Sequence, residues 1–190
     1  MHPRVENIFQ PLYGLPGWGV HWERFLNLSM NFGQPSLSIR EPQESKSPSP
    51  KVRLSQAHRR VTVRGEWWLW IYCSYWKLSV RGIDAVTGSA SQRQIRRALA
   101  LLDGQKFEQV EINASTAATR FIFDLGGILE VRRLKVNQDE DLWILYTPAE
   151  HTLSVRGDGN FAYTPGNQAK DQWETLRASS PAKNDKLEKL

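Results

Sequence analysis

Acid–base, metal or nucleophilic chemistry in this chain would have to use its four histidines, His2, His21, His58 and His151, and its one cysteine, Cys73. Imidazole titrates near neutral pH and ligates metals. A thiolate attacks carbonyls and disulfides. Neither chemistry finds its spacing here. The histidines are widely separated, and only a fold that gathered His21 with His151 would pair any of them. Cys73 sits in "YCSYW" with no nearby base, as a packing thiol would. A single cysteine leaves no internal disulfide and no cysteine pair for zinc. Neither a phosphate-binding glycine loop, a dinucleotide fingerprint nor a zinc-protease helix is present. No catalytic residue, metal ligand or cofactor is assigned. "RGD" at Arg156–Asp158 opens a glycine-rich turn, which explains it without adhesion. "NLS" (Asn27–Ser29) and "NAS" (Asn113–Ser115) are glycosylation triplets that matter only in a secreted chain.

Charge offers a second chemistry. The chain has 25 Lys and Arg against 20 Asp and Glu, a net charge of +5. Arginines cluster at Arg59, Arg60 and Arg64, at Arg93, Arg96 and Arg97, and at Arg132 and Arg133. Such clusters can bind phosphates, but acids are interspersed and no nucleic-acid motif accompanies them. They are read as mixed surface charge, with nucleic-acid binding held as an alternative.

Aromatic residues offer a third. Eight tryptophans are unevenly spread, with Trp67, Trp68, Trp70, Tyr72, Tyr75 and Trp76 falling in one stretch. Alternation along a strand puts Trp68, Trp70 and Tyr72 on one face and Trp67, Leu69 and Ile71 on the other. Such a strand is either buried on both sides or half covered by a partner. Trp and Tyr are enriched at interface hot spots. The candidate binding residues are therefore Trp67, Trp68, Tyr72, Tyr75 and Trp76, with Arg81 and Arg156 added because they match across a repeat.

That repeat organises the chain. "LWI" occurs at Leu69–Ile71 and again at Leu142–Ile144, 73 residues later. In the same register "RRVTVRGEWWLWI" (Arg59–Ile71) lies over "RRLKVNQDEDLWI" (Arg132–Ile144). "LSVRG" follows at Leu78–Gly82 and Leu153–Gly157, 75 residues apart. "LSIR" (Leu37–Arg40) lies over "LEVR" (Leu129–Arg132) at an offset of 92. The larger offset implies a Pro/Ser-rich flexible insertion over 41–58 in the first copy only. It would interrupt a strand that is continuous in the second copy.

The expected fold is mainly β, within a β-rich α+β class. Two tandem copies of a roughly five-stranded antiparallel unit are related by approximate twofold symmetry. Each is followed by a helix, in a sandwich or barrel-like arrangement. Residues 1–16 are an N-terminal arm and 17–104 the first repeat; 105–178 is the second repeat with a weak C-terminal helix, and 179–190 a disordered tail. Strands are expected at Gly19–Arg24, Leu26–Phe32, Ser36–Arg40 with Arg59–Val63, Trp68–Cys73 and Trp76–Val80. In the second copy they fall at Glu108–Asn113, Thr119–Asp124, Ile128–Val136, Leu142–Thr147 and Thr152–Arg156, with an extra one at Asn160–Thr164. "NFGQPS", "DLGG" and "GDGN" supply turns. Ser91 and Gln94 form a capping box for a helix over 91–103 that ends at Gly104.

The functional expectation is a soluble, cytoplasmic, non-enzymatic binding protein of bacterial type. It would engage a protein partner, or a second copy as a homodimer, through its aromatic first repeat. Small β-rich immunity proteins share this general build, a likeness of style without a shared motif. The alternative is an apolar-ligand protein or enzyme with a pocket lined by Trp70, Tyr72 and Trp143. No membrane partner is expected. The longest apolar run, "WWLWIYCSYW", is far short of the ~20 residues a spanning helix needs, and the N-terminus lacks a secretory pattern.

Overall fold

The computed structural model describes residues 2–23, 27–134 and 139–177. The chain runs α1 (Pro3–Phe9), a 3-10 turn (Gln10–Leu12), β1 (Trp18–Glu23), β2 (Asn27–Arg40), α2 (Pro50–Gln56), β3 (Arg60–Ile71), β4 (Tyr75–Ser79), β5 (Val86–Thr87), α3 (Gln92–Leu102), β6 (Phe107–Ile112), β7 (Thr119–Phe123), β8 (Ile128–Arg132), β9 (Asp141–Tyr146), β10 (His151–Arg156), β11 (Asn160–Pro165) and β12 (Glu174–Thr175). The strands form two antiparallel sheets. One has seven strands in the order β1-β2-β3-β9-β10-β11-β12, and the other five in the order β5-β4-β8-β7-β6. The mainly β expectation holds. Among the described residues no helix is long and apolar enough to cross a membrane.

One apolar core lies between the sheets. Met30, Phe32, Leu69, Ile71, Trp143, Leu145, Leu153 and Val155 enter it from the larger sheet; Trp76, Leu78, Phe121 and Leu129 come from the smaller. Along one side the sheets are stitched together by backbone hydrogen bonds. Gly14 and Gly17 donate to Phe107 and Gln105, while Phe107 and Gly104 donate to Leu15 and Gly17. The expected N-terminal arm is in fact part of the core. Val5, Phe9 and Leu12 are buried, and the Phe9 ring meets Phe107, Phe121 and Trp143 at 5.7 to 6.3 Å between centroids. Helix α3 has the expected capping box and buries Ile95, Ala98, Leu99 and Leu102; Gly104 follows with φ +88°.

The structure differs from expectation in four places. "LSIR" and "RRVTV" are not one interrupted strand. They are antiparallel partners, Leu37 opposite Val63 and Ile39 opposite Val61, in a long β2–β3 hairpin. The 41–58 insertion is the tip of that hairpin and contains helix α2. "NFGQPS" is a bulge within β2 rather than a turn: the register slips between Phe32 and Pro35, and Gly33 takes φ +76°. The C-terminal helix is absent over residues 168–177. Glu174 and Thr175 pair with Phe161 and Asn160 as a strand, Leu176 donates to the Gly159 carbonyl, and the Arg156 guanidinium lies 4.5 Å from the Trp173 ring. Strand pairing and a docked ring here outweigh a weak helical pattern. The fourth difference concerns symmetry. β2 pairs with β3, but their counterparts β8 and β9 lie in different sheets. The expected strand ends at Arg24, Leu26 and Val136, and the tail 179–190, lie outside the described residues.

The bulge bends the hairpin. Gly65 donates its N–H to Asn31 Oδ1 at 3.1 Å, and the Gln34 N–H donates to Glu66 Oε2 at 3.0 Å. A Cβ on Gly65 would stand 2.5 Å from the Phe32 carbonyl oxygen, so the two backbones can approach only because residue 65 has no side chain. Two stability changes are expected in urea titrations. Phe9→Ala leaves a cavity under the whole aromatic cluster and costs about 3–5 kcal/mol. Gly65→Ala forces the bend open and costs roughly 1–3 kcal/mol; an unchanged midpoint would show that the close approach is not structural.

Candidate functional site: the outer face of the first strands

The predicted binding residues separate into several different surroundings. Trp68 and Tyr72 lie on the outer face of β3, with Trp70 between them. Trp67 points to the opposite side and packs on the core. Trp76 is fully buried in β4, with its indole Nε1 unpartnered, so it offers no surface. Tyr75 sits on the outer face of the smaller sheet, where the Arg132 guanidinium lies 4.1 Å from its ring centroid. Arg81 is exposed in the turn after β4. Arg156 is held by Asp158 at 2.5 Å and Asp139 at 3.2 Å and by the Trp173 ring. The structure therefore joins only Trp68 and Tyr72 in one place. A ligand cavity shared by Trp70, Tyr72 and Trp143 is ruled out by alternation. Trp143 is fully buried, its indole N–H donating to Thr119 Oγ1 at 2.9 Å, whereas Trp70 and Tyr72 face away from that core.

On the outer face the aromatics form a continuous row. The Trp68 and Trp70 rings are 5.7 Å apart and nearly parallel, at 9°. Tyr146 of β9 stacks on Trp68 at 4.8 Å, because Trp68 and Tyr146 are cross-strand neighbours. Tyr72 meets Trp70 edge-on at 4.9 Å. The Arg64 guanidinium lies 5.0 Å from the Trp68 ring centroid, a cation–π contact that fixes the side chain's position. Burial raises the Tyr146 phenol above the usual tyrosine value, with a smaller raising contribution from Asp141 and a lowering one from Arg64. Tyr72 is raised chiefly by its electrostatic interaction and hydrogen bond with the neighbouring Cys73.

The second half of the sheet is closed on its outer side. After β11 the chain turns back: Gly166 donates to the Glu150 carbonyl, Lys170 pairs with Asp141, and Trp173 docks on Arg156. This segment crosses the strands where Ile144, Ser154 and Ala162 are buried. Among the described residues only the face of β1, β2 and β3 of the larger sheet stays open, and there the bent hairpin curls over it. The result is a groove of about 600 Å³. Its floor carries His21, Ser29, Asn31 and Trp68; its overhang carries Ser38, Arg40, Arg60, Thr62 and Arg64.

Reading alternation backwards from Trp68 would place Thr62, Arg64 and Arg60 on the aromatic face. Arg40 and His21 could not be found that way, because they join through strand pairing and the bend. The fold and site define a two-sheet antiparallel β protein with an arginine-lined groove on one outer face. The chain matches no protein-family model, no curated protein and no solved structure. Among the described residues no group of three or more His, Cys, Asp or Glu is placed to hold a metal ion.

The phenol shift has a consequence for stability. A group whose folded-state pKa is raised stabilises the fold fully below its unfolded value, about 10 for tyrosine, and loses that contribution as pH rises through the folded value. Stability should therefore decline above about pH 10, and Tyr146→Phe should flatten that decline. Urea midpoints collected from neutral to alkaline pH on both proteins check this.

Proposed function

We propose that this chain is a non-enzymatic binding protein that engages a protein partner through its first half. The observation that carries the reading is the far arm of the β2–β3 hairpin. Its core-facing side continues beyond the reach of the smaller sheet. Leu37, Ile39, Val61 and Val63 stand there 68%, 55%, 54% and 55% exposed, as two cross-strand pairs. Val52 and Leu54 of α2, at the hairpin tip, are also exposed. Single exposed aliphatics are ordinary, but a contiguous patch on a projecting element marks an interaction surface. The stacked row Trp68–Trp70–Tyr72 on the reverse side of the same hairpin supports the same half of the chain.

We also read the two halves as one β unit laid down twice. The support is the pairing of β3 with β9. Trp70 faces Ile144, and Ile71 faces Trp143. Shifting each residue by the 73-residue repeat exchanges these two pairs, as a twofold axis between the strands would. The specialised first half then carries the interaction, and the second half, closed over by its own C-terminal segment, serves as scaffold.

A photocrosslinking residue at Ile39, compared with one at Leu125 (62% exposed) in the β7–β8 turn, tests the binding reading in cells that make the protein. A discrete protein adduct from position 39 only is expected, whether with another chain or with a second copy. No adduct from position 39, or the same adducts from both, sinks the reading.

A further inference from the structure

The groove beneath the arm carries an unbalanced charge. Arg40 and Arg60 are directly opposite in the antiparallel register and face the same groove. Like charges opposite one another on a sheet are destabilising. Arg64 follows on the same face, four residues along β3. Among the described residues none of the three has a carboxylate within ion-pair distance, although neighbouring Arg59 pairs with Glu41 at 2.8 Å. Arg40 gives one terminal N–H to the Ser55 carbonyl at 2.7 Å, while its Nε is buried with no acceptor among the described residues. A buried cationic donor left open is costly. Among the described residues Glu23 is the one acid lining the groove. Arg64 is held over Trp68, so its guanidinium is positioned before any ligand arrives.

We infer that this groove is an anion-recognition site for the carboxylates of an acidic polypeptide segment; the inference rests on the protein-partner reading and names the chemistry of that partner. Guanidinium forks match carboxylates in bidentate geometry, and the Ser38 hydroxyl adds a neutral donor beside them. Polypeptide is favoured over nucleic acid by three observations. The Trp68 ring is already in contact with Trp70, Tyr146 and Arg64, so no base can stack there as single-strand binding requires. The other side of the same arm is aliphatic, which suits a protein surface and not a phosphate backbone. The remaining arginine clusters add little to the groove: Arg96 of α3 lines the recess that adjoins it at His21, but with Asp103 in the same recess, and Arg132 lies over Tyr75 on the other sheet.

The test uses the full chain and poly-L-glutamate as probe, followed by tryptophan fluorescence and calorimetry at low salt. Two double variants of equal charge change are compared, Arg60→Gln with Arg64→Gln in the groove and Arg93→Gln with Arg97→Gln on α3. Circular dichroism confirms the fold of each. The groove variant should weaken binding about tenfold, equivalent to 1.4 kcal/mol, and the α3 variant less than about twofold. Equal losses in both variants, or no binding by wild type, overturn the inference. So does tighter binding of an oligothymidylate of matched charge, which assigns the groove to nucleic acid. If the Ile39 adduct persists while the groove result is negative, the partner reading stands and only the acidic-segment assignment falls.

Discussion

Everything in this molecule hangs from the contact between β3 and β9. Leu69 faces Leu145 and Ile71 faces Trp143, all turned into the core and all buried to 1% or less. This seam joins the strands of the first half to those of the second in a single seven-stranded sheet. On the inner side it presents the apolar floor on which the smaller sheet, α1 and the Phe9 cluster pack. On the outer side the same alternation presents Trp68, Trp70 and Tyr146. One pairing register thus sets the core and the aromatic row together, and a slip of one residue would exchange them.

Asymmetry between the two outer faces gives the molecule its directional character. Over β9, β10 and β11 the C-terminal segment lies down and is fastened by Lys170–Asp141 and by Trp173 on Arg156. Over β1, β2 and β3 no equivalent cover exists among the described residues. The overhanging hairpin arm leaves a groove instead of sealing the face. The smaller sheet handles its own outer face differently. A cross-strand ladder of alternating charge, Lys77–Glu130–Arg120–Glu111, runs over it, and those charges neutralise one another. Among the described residues the groove arginines have no such partners. That contrast, more than the number of arginines, distinguishes the groove from the outer face of the smaller sheet.

The bend is the device that turns a flat sheet face into a recess. It depends on a β2 bulge with Gly33 at positive φ and on Gly65, where the two backbones approach too closely for a side chain. Bulges of this kind re-aim the strand beyond them. Here the bulge carries the far arm over the outer face and leaves its other side, with Leu37 and Val63, turned to solvent.

Strand type, alternation, the α3 capping box and the turns at Gly126 and Gly159 were legible from residue order alone. Each is set by neighbours within a few positions, through side-chain period, capping hydrogen bonds and tolerance of positive φ. The aromatic concentration in the first half was legible for the same reason. Sheet membership was not. "LSIR" and "RRVTV" became partners across a hairpin, Trp76 and Tyr75 were drawn into and onto the other sheet, and "QWETL" joined an edge as β12. Those outcomes depend on which distant strand supplies the hydrogen bonds and which surface covers a face, and neither is written in local spacing. The groove belongs only in part to that second class: alternation along β3 puts Arg60, Thr62 and Arg64 on the face of Trp68, but strand pairing and the glycine-permitted bend are needed to bring Arg40 and His21 around the same recess.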